Sequence, residues 1–92
     1  MITVDFYTTL RVELKTRQLK MSSNEIDVLQ LLEKCEEKIS KKFLHKLFDR
    51  DGKLIPGTMI LVNGKNILHL KSTKTLVHAN DIVSLFPPGG GG

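Results

Sequence analysis

The sequence predicts an α+β fold in which one main helix packs across a mixed sheet. Two observations support this prediction. Segments near both ends of the chain alternate between apolar and polar side chains, as half-buried strands do. Between residues 28 and 39, apolar side chains recur at steps of three and four, which indicates a helix with one buried face. A helix placed between runs of strands favours a layer of helix on one face of a sheet.

The composition is that of one soluble domain. The chain has 92 residues, of which 40% are hydrophobic, and this suffices for a single modest core. No run approaches the roughly 20 apolar residues of a membrane helix, and the first residues lack the layout of a signal peptide. We therefore expect a cytoplasmic protein without a membrane partner. Cys35 is the single cysteine, and the three histidines are scattered, so we expect no bound metal or cofactor.

The N-terminal part of the chain predicts two strands. The alternation over residues 2–8 indicates a first strand whose even-numbered residues face the core. Tyr7 would then point outward. A polar connection is expected over residues 8–15, followed by a second, weaker strand over residues 16–21.

The main helix is predicted to begin at a capping box and to cover residues 24–38. Ser22 and Glu25 have the spacing with which a serine caps a helix while a glutamate reaches back. Cys35 lies on the apolar stripe, so we interpret it as a buried core residue. Ser40 is expected to cap a second, shorter helix that ends near residue 48. The predicted stripe of the main helix comprises Val28, Leu29, Leu32, Cys35 and Ile39.

The second half predicts a hairpin and a last strand. Asn63-Gly64 separates two apolar runs, which is a strong hairpin signal. A two-residue loop would leave Val62 opposite Lys65. A three-residue loop over residues 63–65 would place Ile60, Val62, Leu68 and Leu70 on one buried face, and we favour it for that reason. Residues 82–86 form the last strand, with Phe86 on its outward side.

This order of elements fits a β-grasp, or ubiquitin-like, arrangement. In that fold the first and last strands pair in parallel at the centre of the sheet, and the chain end leaves from a central strand. We predict a β-grasp domain over residues 1–86 and a flexible tail over residues 87–92, Pro-Pro-Gly-Gly-Gly-Gly. Proline stiffens the exit by fixing φ, while glycine has no side chain to obstruct entry into a narrow slot.

The carboxylate of Gly92 is the chemical handle that the sequence offers. No catalytic constellation and no phosphate-binding glycine loop followed by a helix is present. ATP could convert the carboxylate to an acyl-adenylate, from which sulfur would give a thiocarboxylate and an amine would give an isopeptide. Composition alone allows a plain disordered terminus as well. The basic stretch Lys34–Lys46 is interpreted as a solvated helix face, because no aromatic residues accompany it as in RNA-binding motifs.

Several segments together resemble the MoaD/ThiS sulfur carriers, and most of all the MoaD branch. The segments are Phe6–Arg11, Leu61–Gly64, Asn80–Pro88 and the terminal pair Gly91-Gly92. Each segment alone is weak evidence for the family, whereas the order and spacing of all the segments up to the last residue are specific to it. The Phe-Pro-Pro step before the glycines favours MoaD over ThiS. Asn80 departs from the glycine usual in the turn before the last strand.

The resemblance implies a β-grasp fold and a Gly92 that is adenylated and then thiocarboxylated. It implies an E1-like adenylating partner of the MoeB/ThiF type that uses ATP and magnesium, and a sulfurtransferase. A MoaE-like large subunit would receive the sulfur, so that this chain would be the small subunit of a molybdopterin synthase. The resemblance also assigns positions by match. By this match, the residues that bind a partner are Tyr7, Arg11, Phe86, Pro87 and Pro88. The residues that insert into the partner are Gly89, Gly90 and Gly91.

Three other interpretations remain open at this point. The first is a ubiquitin-like modifier conjugated to lysines through Gly92, which needs the same adenylation. The second is a sulfur carrier for thiamin or cysteine synthesis. The third is a β-grasp binding module that uses the Lys34–Lys46 face and has an incidental tail.

Overall fold

The computed structural model describes residues 1–89 of the chain, and Gly90, Gly91 and Gly92 lie outside the described residues. Three short 3-10 turns occur in addition to the helices and strands, at Leu44–Lys46, Ile67–His69 and Ser72–Lys74. The helices and strands, in chain order, are β1 (Ile2–Phe6), α1 (Thr8–Leu14), β2 (Gln18–Met21), β3 (Glu25–Asp27), α2 (Val28–Ile39), β4 (Met59–Val62), β5 (Lys65–Asn66), β6 (Leu76–His78) and β7 (Ile82–Phe86).

The main sheet has the predicted β-grasp topology. Its strand order is β2-β1-β7-β4-β5, and a separate two-stranded sheet joins β3 to β6. β1 and β7 pair in parallel, with Val4 opposite Val83, while the other neighbours in the main sheet are antiparallel. The first and last strands therefore lie side by side within the sheet, which confirms the predicted mixed α+β architecture.

One hydrophobic core lies on one face of the main sheet. The alternation of β1 places Ile2, Val4 and Phe6 in this core, and all three are fully buried. β7 alternates in the same way, with Val83 and Leu85 buried. α2 covers this face and contributes its buried side chains to the same core, namely Val28, Leu31, Leu32 and Cys35.

The segment predicted as a polar connection after β1 is a helix. α1 covers Thr8–Leu14 and buries Leu10 and Leu14, which are four residues apart and so lie on one side. Lys15 ends the helix with a left-handed backbone, φ 53°. The prediction failed because Leu10, Val12 and Leu14 follow one another at steps of two, which gives no clear helical period within seven residues. The helix is stabilised instead by burial of Leu10 and Leu14 in the core.

The predicted start of the main helix was wrong by four residues. Glu25–Asp27 forms β3, which pairs with β6. The helix begins after it, and the carboxylate of Asp27 accepts the N–H of Gln30 at 2.8 Å as the actual cap. Strand pairing between distant segments thus overrode the local capping box. Within the helix, Leu31 is buried while Leu29 is 38% exposed, which corrects one position of the predicted stripe.

Ser40 ends α2 instead of capping a second helix. It has a left-handed backbone, φ 57°, and its N–H donates to the carbonyl of Glu37. The following turn is capped by Glu36, whose Oε2 accepts the N–H of Phe43 at 2.6 Å and that of Leu44 at 3.0 Å. This double contact explains why a glutamate is buried on the core side of the helix.

The hairpin has the two-residue loop, and the three-residue alternative that we favoured was wrong. Val62 lies opposite Lys65, and Asn63 and Gly64 both have positive φ, as a tight turn of this length requires. Residues 67–70 do not continue β5, because Ile67–His69 forms a 3-10 turn. Leu68 and Leu70, which the three-residue loop would have buried, are 60% and 44% exposed. Ile67 is buried in the core instead.

Within residues 1–89, no helix is both long and apolar enough to cross a membrane.

Candidate functional site

The chain end leaves from an interior strand of the sheet. β7 has β1 on one side and β4 on the other, and Phe86 at its end lies opposite Met59. Beyond β1, the N–H of Tyr7 donates to the carbonyl of Leu85 at 3.1 Å. The last residues of β7 are therefore hydrogen-bonded on both sides, which fixes the point from which the tail starts.

Tyr7, Arg11 and Phe86 form one stack at this point, which we call the aromatic stack. The rings of Tyr7 and Phe86 are nearly parallel, with an interplanar angle of 8° and 4.4 Å between centroids. The guanidinium carbon of Arg11 lies 5.1 Å from the Tyr7 centroid. Its Nε donates to the carbonyl of Phe6 at 2.9 Å, which holds the cation over the ring.

The local sequence explains how these side chains meet. Tyr7 directly follows β1 and Phe86 ends β7, and these two strands pair in parallel. Both residues occupy outward positions, so their rings project from the same face of the sheet. Arg11 is four residues after Tyr7 and lies about one helical turn into α1. Its side chain is therefore on the same side of the helix as Tyr7. Sequence reasoning derived the outward positions of both rings, whereas Arg11 was assigned by resemblance alone.

The face of the sheet opposite the core is partly apolar, and we call it the open face. Met59 is 37% exposed and Ile82 is 46% exposed, and between them Leu61 is half-buried. These side chains adjoin the aromatic stack, because Met59 pairs with Phe86. An apolar surface next to an aromatic anchor is typical of a protein-binding site.

A tight turn borders the first residues of the tail. The N–H of Thr58 donates to the carbonyl of Ile55 at 2.9 Å, and Gly57 has φ +94°, so Ile55–Thr58 has the features of a type II turn. A Cβ on Gly57 would lie 3.4 Å from the Cβ of Pro88. The turn therefore approaches Pro88 closely. Sequence reasoning missed it, although Pro-Gly is a known turn signal.

The structure describes the beginning of the predicted tail. Pro87 is buried and Pro88 is half-buried, so both contact the domain. The predicted boundary at residue 87 and the flexibility of the tail stay predictions. The same is true of the roles expected for Gly90, Gly91 and Gly92, which lie outside the described residues.

The thiol of the chain is not available for chemistry. Cys35 is fully buried, as predicted, and this burial raises its pKa to about 12, with Lys38 opposing the shift. A neutral, buried thiol is a poor nucleophile. The histidines also lie away from the stack, since His45 and His69 are exposed and His78 bonds Glu25 at 2.9 Å.

The fold and the site together define a class, a ubiquitin-like β-grasp domain with a glycine tail rooted in a central strand. The comparison with known families then identifies it further. The ThiS family matches residues 4–92, and the chain belongs to this family.

Two relatives agree with this assignment. A protein of Archaeoglobus fulgidus provisionally named a sulfur carrier is 35% identical over 74 residues, which cover 80% of this chain and 83% of the relative. Small archaeal modifier protein 3 of Haloferax volcanii is 33% identical over 66 residues, covering 72% of this chain and 66% of the relative. Of these two relatives, one is named a sulfur carrier and the other a modifier.

Solved structures show the same fold. Small archaeal modifier protein 1 of Methanosarcina acetivorans is 27% identical, with a TM-score of 0.77 and coverage of 99% of this chain and 95% of that one. A chain in the BexX/CysO complex of Amycolatopsis orientalis covers 100% of both chains with a TM-score of 0.79. Its identity is 18%, so this likeness concerns the fold alone.

Proposed function

We propose that this protein is a sulfur carrier whose Gly92 carboxylate is adenylated, converted to a thiocarboxylate and then used as a sulfur donor. The observation that carries the proposal is the position of the tail. It starts at a strand that is hydrogen-bonded on both sides, immediately beside the aromatic stack. Membership of the ThiS family supports the same chemistry.

The activation chemistry explains why an enzyme partner is needed. A free carboxylate is a poor acyl donor because its leaving group would be oxide. Attack of the Gly92 carboxylate on the α-phosphate of ATP would release pyrophosphate and form an acyl-adenylate. The terminal sulfur of a sulfurtransferase persulfide would then attack the acyl carbon and displace AMP. A second thiol would cleave the resulting acyl disulfide, which leaves the thiocarboxylate and a disulfide of the two thiols. ATP and magnesium belong to the adenylating partner in this scheme, and this chain supplies the acyl group.

The role of this chain is to present that carboxylate. The aromatic stack and the open face would bind an E1-like adenylating enzyme of the MoeB/ThiF type. Pro87 and Pro88, packed on the domain, would direct the glycines away from the sheet. Gly89, Gly90 and Gly91 would enter a narrow active site in which a Cβ could collide with the wall.

We assign the sulfur to molybdopterin synthesis, with a MoaE-like large subunit as the acceptor. The support is the Phe86-Pro87-Pro88 step before the glycines, which resembles the MoaD branch. Thiamin and cysteine synthesis are alternative destinations that use the same thiocarboxylate. The presence of a MoaE-like gene beside the gene for this chain would favour the first destination.

A second function, conjugation to lysines as a ubiquitin-like modifier, is favoured by a specific observation. A relative that is 33% identical and a solved structure that is 27% identical are both named small archaeal modifier proteins. Conjugation would begin with the same adenylate, and a lysine amine would replace sulfur as the nucleophile. The two functions therefore differ in the fate of the adenylate.

Reconstitution with a purified MoeB/ThiF-type enzyme tests the shared first step. We expect the chain to support exchange of pyrophosphate into ATP, and we expect removal of Gly92 to abolish that exchange. Leu68→Ala serves as a control, since Leu68 is 60% exposed and is not among the residues assigned to the site. Exchange that persists without Gly92 would contradict the proposal. Peptides linked to lysine through Gly92 in cell extracts would favour the modifier.

A further inference from the structure

The main sheet has an open edge at β2, on the side opposite β5. β2 pairs with β1 and stands at the end of the strand order. Its pairing also shows which backbone groups face outward. The N–H of Phe6 donates to the carbonyl of Arg17 at 2.9 Å, so this pair is directly hydrogen-bonded. Since bonded and non-bonded pairs alternate in an antiparallel ladder, the backbone groups of Gln18 and Lys20 point away from β1.

One of these outward groups already has a partner. The Nζ of Lys38, near the end of α2, donates to the carbonyl of Lys20 at 2.7 Å. For the Gln18 N–H, the Gln18 carbonyl and the Lys20 N–H, no hydrogen-bond partner is found within residues 1–89. A lysine placed over an open strand is a known way to restrain unwanted pairing. Lys38 therefore covers the edge with one exposed, displaceable bond.

The edge is strongly basic. Lys15, Arg17 and Lys38 are exposed around it, while Nζ of Lys20 donates to Oγ1 of Thr3 on β1 at 2.9 Å. Two acidic side chains nearby are engaged elsewhere. Asp5 accepts Nε2 of Gln18 at 2.7 Å on the open face, and Glu13 pairs with Lys46. An approaching chain therefore meets backbone donors and acceptors surrounded by positive charge.

We propose that the β2 edge binds an extended acidic peptide segment of a partner protein, which adds to the sheet as a further strand. The backbone of the segment would bond the outward groups of Gln18 and Lys20, as in other cases of strand addition. Its carboxylates would pair with Arg17 and Lys15. Lys38 would leave the Lys20 carbonyl and join the same cluster of ion pairs.

A second copy of this chain fits the edge poorly. Two β2 edges paired with each other would bring the same positive charges together, which opposes association. The opposite edge of the sheet, at β5, has two residues and offers little length for pairing. An acidic partner is therefore the occupant that the charge favours.

The edge is separate from the site proposed for sulfur transfer. β1 lies between β2 and β7, so a strand added to β2 does not cover Phe86 or the start of the tail. A partner could thus hold this chain by its edge while the tail remains available to an enzyme. The inference does not depend on the proposed function.

An NMR titration tests the proposal with a blocked synthetic peptide that alternates valine and glutamate. In the ¹⁵N-labelled full chain at low salt, we expect the largest amide shifts at Gln18 and Lys20, together with slower hydrogen exchange at both. A peptide with lysine in place of glutamate, and one with N-methylated valines, should not produce these changes. The first control removes the charge match, and the second removes the backbone donors.

Matched variants at the two edges of the sheet complete the test. Arg17→Glu should weaken binding of the glutamate peptide about fivefold, because an attraction becomes a repulsion. Lys65→Glu, on β5, makes the same change of charge and should leave binding unchanged. The proposal is overturned if the glutamate peptide does not bind, if the lysine peptide binds equally well, or if the shifts fall on the open face. Concentration-dependent shifts of Gln18 without peptide would instead show self-pairing, and would also overturn it.

Discussion

Phe86 differs from the other phenylalanines of this chain in where its ring lies. Phe6 and Phe43 are fully buried and meet edge to face at 5.5 Å, and Phe48 is 9% exposed. Phe86 instead points to the open face and is covered on one side by Tyr7. A large aromatic ring that folding leaves half-exposed is a candidate anchor for a partner, because such rings dominate many interfaces.

The variant Phe86→Ala should weaken binding to the adenylating partner by about 2 kcal/mol, the cost typical of removing an aromatic anchor. The domain should remain folded, because the ring lies outside the hydrophobic core. Calorimetry measures the affinity, and circular dichroism with urea unfolding measures the fold and its stability.

Leu68→Ala is the matched control for this variant, since Leu68 is also exposed and apolar but is not part of the aromatic stack. Its affinity for the partner should equal that of the unchanged chain. An unfolded Phe86→Ala protein would show that the ring supports the core and that its assignment to a binding surface is wrong.

The outward direction of Tyr7 and Phe86 could be predicted because side chains alternate along a strand. Once Val4 and Val83 are assigned to the core, Tyr7 and Phe86 must lie on the opposite face. Their contact could not be derived in this way. It depends on the parallel register of β1 and β7, which sets residues 79 positions apart side by side and is fixed by the whole fold.

At the scale of elements, the turn Ile55–Thr58 links the fold to the tail. Gly57→Val should impair adenylation, because atoms beyond a Cβ at 3.4 Å would have to share space with Pro88. Gly52→Val is the control, since Gly52 also has a positive φ but has no atom within 4 Å of its Cβ position.

Both variants should lose stability by about 1–2 kcal/mol, the cost of a left-handed backbone for a residue with a Cβ. Urea unfolding measures this loss, and pyrophosphate exchange measures adenylation. If the two variants are adenylated equally well, the contact between the turn and Pro88 has no role in presenting the tail.

The turn between β6 and β7 gives a prediction about pH. The carboxylate of Asp81 accepts the N–H of His78 at 2.8 Å and Nδ2 of Asn63 at 2.9 Å, and these bonds lower its pKa. The folded pKa is below the unfolded one, so the stabilisation is present above the unfolded value, about pH 4, and is lost as the pH falls through the folded value.

Asp81→Asn should therefore lower the free energy of unfolding at pH 7 by up to about 1 kcal/mol, because the carboxylate is partly solvated. The difference between the two proteins should shrink toward pH 3. Urea unfolding from pH 3 to pH 7 measures it. A difference that stays constant over this range would mean that the charge of Asp81 does not stabilise the turn.

The elements that the sequence predicted correctly have strong local patterns, and those it missed depend on distant partners. β1 and β7 alternate clearly, and α2 has a clear apolar stripe. β3 and β6 have three residues each and are defined by pairing with each other. The capping box at Ser22 does not start the helix, because residues 25–27 pair with β6 as a strand. The hairpin loop was misjudged because Leu68 was assumed to be buried, whereas it is exposed.

At the scale of the molecule, stability and the proposed function belong to different parts of the chain. The core contains β1, β7 and α2, and the parallel pair at its centre holds the root of the tail. The proposed chemistry belongs to the carboxylate at the end of the tail, while Cys35 is buried on the core side of α2 and its raised pKa keeps the thiol neutral. A fold of this kind can present a chain end to an enzyme without supplying a catalytic side chain of its own.

The central claim is that Gly92 carries sulfur, and intact-mass analysis of the protein isolated from the cells that make it tests this most directly. The account predicts a population in which one oxygen is replaced by one sulfur, with fragmentation placing the exchange at Gly92. A Cys35→Ala variant should show the same exchange, which excludes modification of the thiol. A mass that shows no such exchange, together with full function of a chain lacking Gly91 and Gly92, would contradict the account.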